Sequence, residues 1–309
     1  MAPFRFGVQL SNASSGASWR ELARTVEDLG YSTLFLPDHF GDQFGTLVAL
    51  TVAAEATTEM KVGSLVFGND YRHPIVLAKE VATLDLLSEG RVEFGLGAGW
   101  MTTDYDQSGI PNDPPGVRIS RMVESLSIIK SLWSTGTASM AGEHYSINDA
   151  VGSPLPHSRP YPKIIIGGGG RRILGIAARE ADIVGVNMSL ASGHAGREVL
   201  DSATAEYFDQ RIAWVREAAG DRFDALELQC LTFVVQIVPD RKEAIGRLSS
   251  AMGVTAAQIE GSPIALVGTI EQISEQLIER RERFGFSYIV VHEAELEAFA
   301  PVVAALAGA

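Results

Sequence analysis

Asp38 and His39 stand side by side directly after the apolar run Thr33-Leu34-Phe35-Leu36-Pro37. Histidine takes up or releases a proton near neutral pH, so His39 is a candidate for proton management or, alternatively, a rim histidine that only hydrogen-bonds structure. Asp38 reads either as part of the same chemistry or as a helix cap. A second cluster, Gly167-Gly168-Gly169-Gly170-Arg171-Arg172, follows another apolar run. Free backbone N–H groups at a helix start, the helix dipole and a guanidinium could converge there on a phosphate. The bland alternative is a tight turn between strand and helix, which needs fewer glycines. A third cluster, Gly95-Leu96-Gly97-Ala98-Gly99-Trp100, removes side chains where a planar ring could press on the backbone, or simply eases packing. No H-E-x-x-H and no paired-cysteine motif occurs, and His157, His194 and His292 lack ligand spacing, so no metal site is expected.

Elements of regular period must position these clusters. Apolar strand-like runs are expected at 4–10, 31–36, 61–67, 91–96, 164–166, 182–186, 227–238 and 287–291, rich in Val, Ile and Leu as buried parallel strands are. Helical periodicity is expected at 18–29, 46–57, 74–87, 118–133, 171–178, 203–218, 239–252, 269–284 and 296–306, with Ser18 as a cap, Gly30 as a C′ glycine and Pro74 in a first turn. The irregular stretch up to Pro162 reads as an insertion. Eight alternating units predict a (β/α)8 TIM barrel with insertions, in a single domain over 1–309. A doubly wound sheet is the competing architecture, but no G-x-G-x-x-G with a following acidic residue is present. In a barrel the strand ends that carry the three clusters face the active site.

Composition narrows the function classes. The 309 residues are 46% hydrophobic with a net charge of -13 and no basic block, which argues against nucleic-acid or anionic-membrane partners. No run reaches the roughly 18–20 apolar residues that span a bilayer, and the start lacks a signal-peptide core, so a cytoplasmic location is expected. The single cysteine, Cys230, lies in an apolar run and reads as buried packing. Segments 101–117 and 188–202 follow strand ends and read either as substrate lids or as plain surface loops.

Taken in order, several motifs resemble the luciferase-like monooxygenase superfamily, and within it the deazaflavin (coenzyme F420)-dependent oxidoreductases. They are Leu36-Pro37-Asp38-His39, Arg72-His73-Pro74, Leu84-Asp85 with Gly90-Arg91, Gly95 to Trp100 with Asp104-Tyr105 behind it, Ile166 with the four glycines, Leu266-Val267-Gly268 and Gly285-Phe286. The resemblance implies a barrel with an insertion near strand seven and a flavin or deazaflavin across its C-terminal rim. It implies Asp38 near the cofactor and His39 near the substrate, the two forming the catalytic pair. It further implies cofactor contacts at Ser64 and Leu65, where relatives carry a non-proline cis peptide, at Gly97, Ala98 and Gly99, and at Gly168, Gly169, Gly170 and Arg171 around the phosphate. Relatives that oxidise sugar phosphates carry a glutamate at the position of Trp100, so an apolar wall contacting a different substrate is expected here. His144 and Tyr145 read as scaffold, and a homodimer through the second and third helices, with Leu47, Leu50, Val81 and Leu84, is implied. The expected function is hydride transfer between F420 and a small organic molecule. A reduced-FMN monooxygenase is the alternative, and a cofactor-less binding protein on the same barrel is the third reading.

Overall fold

Eight short apolar segments become parallel strands in the computed structural model, which describes residues 2–190, 192–193 and 197–309. They are β1 (Arg5–Gln9), β2 (Thr33–Leu36), β3 (Lys61–Ser64), β4 (Val92–Gly97), β5 (Lys163–Gly168), β6 (Ile183–Val186), β7 (Glu227–Leu231) and β8 (Phe286–His292). Hydrogen bonding runs β3-β2-β1-β8-β7-β6-β5-β4, and β3 pairs with β4 as well, so the sheet closes into a (β/α)8 barrel. Register pairs include Arg5 with Tyr288, Val62 with Val92 and Glu93 with Lys163. β2, β4 and β6 are buried along their whole length, which is why they read as unbroken apolar runs instead of alternating ones.

The chain divides into two compact units, one of Met1–Leu10, Thr25–Leu34 and Gly167–Ala309, the other of Ser11–Arg24 and Phe35–Ile166. In the second unit, Trp133 on helix Pro115–Thr135 packs edge-on against Phe94 at 4.9 Å and donates its indole N–H to the Ala78 carbonyl at 2.8 Å. Arg91 fans its guanidinium over the carbonyls of Ala54, Met60 and Ser88 and the Thr57 hydroxyl, tying three segments together. Asp85, fully buried, accepts from the backbone of Val92 and from both the backbone and hydroxyl of Ser158. The motif Leu84-Asp85 with Gly90-Arg91 is therefore scaffold. In the first unit, Arg5 pairs with Glu227 while lying over the Tyr288 ring at 3.7 Å.

Several elements differ from the sequence expectation. The run 227–238 is two strands: β7 ends at Leu231, and Val234–Ile237 pairs in parallel with Ala265–Gly268 in a separate small sheet. Helices Arg241–Met252 and Ala256–Gly261 cover that sheet around Ala244, Ile245, Ile259, Ala265 and Val267, an insertion after β7 with its own apolar core. The stretch before Pro162 contains a hairpin, Thr137–Ala141 with Ser146–Val151. The first helix starts at Gly16, because Ser15 is the cap: its hydroxyl accepts from Ser18 N–H at 3.1 Å and Ser18 reciprocates to Ser15 N–H at 2.9 Å. Segment 101–117 carries a helix, Thr102–Ser108. Leu50, Val81 and Leu84 point inward as core residues, so the exposed apolar side chains of helices Thr46–Ala56 and Pro74–Leu87 are instead Val48, Val76, Leu86 and Leu87. Among the described residues no helix is long and apolar enough to cross a membrane.

Candidate active site

Beyond the C-terminal end of β2 the chain delivers Asp38 and His39 to different partners. Asp38 is 6% exposed and its carboxylate is saturated. Arg72 grips both oxygens, Nη1 to Oδ2 at 2.5 Å and Nη2 to Oδ1 at 2.9 Å, the Thr46 hydroxyl donates at 2.8 Å and Gly68 N–H at 3.0 Å. A bidentate guanidinium with two further donors holds the carboxylate in place and ties the end of β2 to the start of the next helix. His39 turns the other way, its Nδ1 lying 2.6 Å from Asp104 Oδ2. Asp104 sits on helix Thr102–Ser108 with its side chain 3% exposed, whereas His39 keeps 25%. Tyr71 donates to the same Oδ2 at 2.9 Å, and Phe40 N–H reaches Oδ1 at 3.3 Å. Burial and the Asp104 hydrogen bond hold the Tyr71 phenol well above its ordinary pKa, so it remains a donor.

Aromatic side chains flank the imidazole. Trp100 meets it edge-on with ring centroids 5.9 Å apart, and Phe40, 47% exposed, tilts against Tyr71 at 4.6 Å. Two arginines nearby are engaged by carboxylates, Arg72 by Asp38 and Arg121 by Asp70 and Asp113, while the buried Arg118 lies over the Tyr105 ring at 5.1 Å with Nε and Nη1 lacking a hydrogen-bond partner. Sequence reasoning did not assign roles to Asp104, Tyr71 or Arg72, although Asp104-Tyr105 and Arg72 lay within the motifs that carry the resemblance.

The end of β3 needs one correction: the non-proline cis peptide joins Leu65 to Val66, one bond beyond the position expected at Ser64-Leu65. Ser64 donates its hydroxyl to the Leu36 carbonyl at 3.1 Å, and Leu65 N–H bonds the same carbonyl at 2.9 Å. Close approach on β4 explains its glycines, since a Cβ at Gly95 would lie 2.0 Å from the Ser64 carbonyl and one at Gly97 2.5 Å from Val66. Gly99 has φ +75°, and a Cβ there would lie 2.0 Å from the Tyr105 hydroxyl. Ala98, Gly99 and Trp100 are half-buried.

In the first unit, β5 runs through Gly168 into helix Arg171–Glu180. A Cβ at Gly168 would meet Ile173, and one at Gly169 the Met188 carbonyl; Gly170, the N-cap, has no side-chain capping bond and open space where a Cβ would stand. That helix start thus has no side-chain cap at an open position. Arg171 lies at the surface and pairs with Glu217 at 2.9 Å, while Arg211 donates to the Gly169 carbonyl at 3.0 Å. Of the segment 188–202 expected as a lid, residues 191 and 194–196 lie outside the described residues, and His194 with them.

With this geometry in view, the sequence model of the luciferase-like monooxygenase family matches residues 1–288. The chain belongs to the luciferase-like monooxygenase family. This luciferase-like chain is 30% identical over 229 residues to an F420-dependent glucose-6-phosphate dehydrogenase of Amycolatopsis mediterranei, covering 72% of this chain and 65% of that one. It is 28% identical over 200 residues to an FMNH2-dependent dimethylsulfone monooxygenase of Pseudomonas putida, covering 58% and 55%. In fold it is similar to the coenzyme F420-dependent tetrahydromethanopterin reductase of Methanopyrus kandleri, with a TM-score of 0.79 over 98% of both chains at 20% identity. Family relatives thus use a deazaflavin or a flavin.

The remaining titratable candidates of this luciferase-like barrel have structural partners. His73 caps helix Pro74–Leu87, its Nδ1 accepting from Ile75 N–H at 3.3 Å. Glu124 accepts the backbone N–H groups of Glu143, His144 and Tyr145, which lower its pKa and clasp the hairpin tip. Burial lowers the pKa of His292, packed on Phe233, and pushes the Cys230 thiol up to about 12. Among the described residues no group of three or more His, Cys, Asp and Glu could hold a metal ion.

Proposed function

We propose that this luciferase-like protein is an F420-dependent oxidoreductase that exchanges a hydride between the deazaflavin and an uncharged carbinol or carbonyl carbon of a small organic substrate. One observation carries the reading: the His39 imidazole, partly exposed, has Nδ1 engaged by Asp104 and Trp100 at its edge. A bound deazaflavin supplies the carbon that accepts or returns the hydride. His39 Nε2 takes the hydroxyl proton as an alcohol is oxidised and gives it back to the carbonyl oxygen in reduction, so that hydride and proton together balance the two-electron change. Asp38 completes the pair by anchoring the segment that bears His39 through Arg72, Thr46 and Gly68. Trp100 and Phe40 exclude water and favour an apolar substrate.

Cofactor contacts are proposed in each unit separately. For the ring they are Ser64, Leu65 and the half-buried Ala98 and Gly99, with Gly97 beneath them. For a phosphate they are Gly168, Gly169, Gly170 and Arg171, supported by the uncapped helix start and the open position at Gly170. We further propose a homodimer through the exposed Val48, Val76, Leu86 and Leu87.

An anaerobic absorbance titration with F420 and with FMN, followed by addition of secondary alcohols, tests the reading. Bleaching of the F420 band on alcohol addition is expected, with turnover reduced about 100-fold or more in His39→Gln. Substrate-dependent oxygen uptake with reduced FMN and none of this bleaching would replace the reading with the monooxygenase. No affinity for either cofactor would favour a binding protein.

A further inference from the structure

Two Asp-Tyr dipeptides, Asp70-Tyr71 and Asp104-Tyr105, lie 34 residues apart in sequence and exchange partners in space. Tyr71 donates to Asp104 Oδ2 at 2.9 Å, and Tyr105 donates to Asp70 Oδ2 at 3.0 Å. The two rings meet at 6.0 Å and 63°, so the crossed bonds form one clasp between the turn Asn69–Tyr71 and helix Thr102–Ser108. A helix of seven residues does not stand alone in water, and this one has no side-chain cap at its start. Arg121, on helix Pro115–Thr135, bonds Asp70 Oδ1 at 2.9 Å and holds Asp113 with its other arm, which secures the far side of the clasp. Gly99, lacking a side chain, leaves the room that the Tyr105 hydroxyl occupies.

We propose that Asp104 and Tyr71 are positioning residues that lock the tautomer of His39. The proposal rests on the reading of His39 as the proton-handling group. Asp104 takes two donors, Tyr71 Oη on Oδ2 and Phe40 N–H on Oδ1, and its Oδ2 lies 2.6 Å from His39 Nδ1. With two donors already on it, Asp104 presents Oδ2 to Nδ1 as an acceptor, so an imidazole in its neutral form carries its proton on Nδ1 and leaves the Nε2 lone pair for a substrate. Without such a partner a neutral histidine favours the opposite tautomer, with Nε2 protonated and unable to accept. Burial keeps both phenols protonated, Tyr105 with a pKa of about 12 and Tyr71 raised further above the ordinary value, so neither donor is lost at any working pH. The other charged group next to His39, Asp38, is neutralised by Arg72.

Histidine-ring 15N NMR of the full chain without cofactor or substrate tests the lock, with the His39 signals assigned by their loss in His39→Gln. The wild type is expected to show a protonated Nδ1 and an unprotonated Nε2. Asp104→Asn is expected to move the ring toward the Nε2-protonated form, and Tyr71→Phe to broaden or partly shift it. With F420 and a reacting alcohol, Asp104→Asn is expected to lower kcat about 10- to 100-fold while the F420 Kd changes less than about threefold. Tyr71→Phe, which deletes a single oxygen, keeps the test open where Asp104→Asn does not fold. A wild-type ring already protonated on Nε2, or one unchanged in both variants, would overturn the proposal. The expected tautomer without F420 turnover would instead overturn the functional reading and leave the lock standing.

Discussion

At the scale of single residues, neighbours in sequence have divided the work. Asp38 and His39 follow β2 side by side yet serve different partners. Asp38 goes to Arg72 and His39 to Asp104. Asp38 thereby becomes the anchor of the rim, and its replacement acts first on stability. Asp38→Asn is expected to lower the unfolding free energy by about 2–4 kcal/mol, a little below what breaking a fully buried pair costs because Arg72 remains 24% exposed. Urea denaturation checks this, and an unchanged midpoint would show that the pair contributes nothing measurable.

At the scale of elements, the end of β4 has to admit protein atoms before it can admit a ligand. Gly95 and Gly97 make room for Ser64 and Val66 at the end of β3, and Gly99 for Tyr105. The helix Thr102–Ser108 depends on this room, because Tyr105 is one of its two attachments to the turn Asn69–Tyr71. Gly99→Ala combines a left-handed backbone position with a steric conflict at 2.0 Å, and is expected to destabilise the chain by about 1–3 kcal/mol. The same change should loosen the clasp, read as a shift of the His39 ring 15N signals toward those of Asp104→Asn. A thermal melt and those spectra together check it, and unaltered spectra would separate the clasp from the histidine.

At the scale of the whole molecule, helices Thr46–Ala56 and Pro74–Leu87 are apolar almost all round, covering the strands with Leu50, Val81 and Leu84 while Val48 and Leu87 stay 74% and 71% exposed. A homodimer that buries these side chains is expected by light scattering, and Val48→Glu with Leu87→Lys is expected to yield a monomer that still binds F420. A monomeric wild type would remove the dimer from the proposal. The alternation of apolar runs and helical periods determined the barrel in advance, because a parallel sheet covered on both faces needs unbroken Val, Ile and Leu runs whatever their partners are. Sequence also picked out the strand ends at which we propose the chemistry, and its motifs pointed to the family. It read 227–238 as one strand because both halves are apolar, and only tertiary structure assigns Val234–Ile237 to a second sheet with Ala265–Gly268. His39 and Asp104 are 65 positions apart, as are Val8 and His73, and nothing in spacing distinguishes a bonded pair from an unrelated one. That pairing was decided only in three dimensions, by a short helix whose position depends on a crossed pair of phenols and on a missing side chain at Gly99.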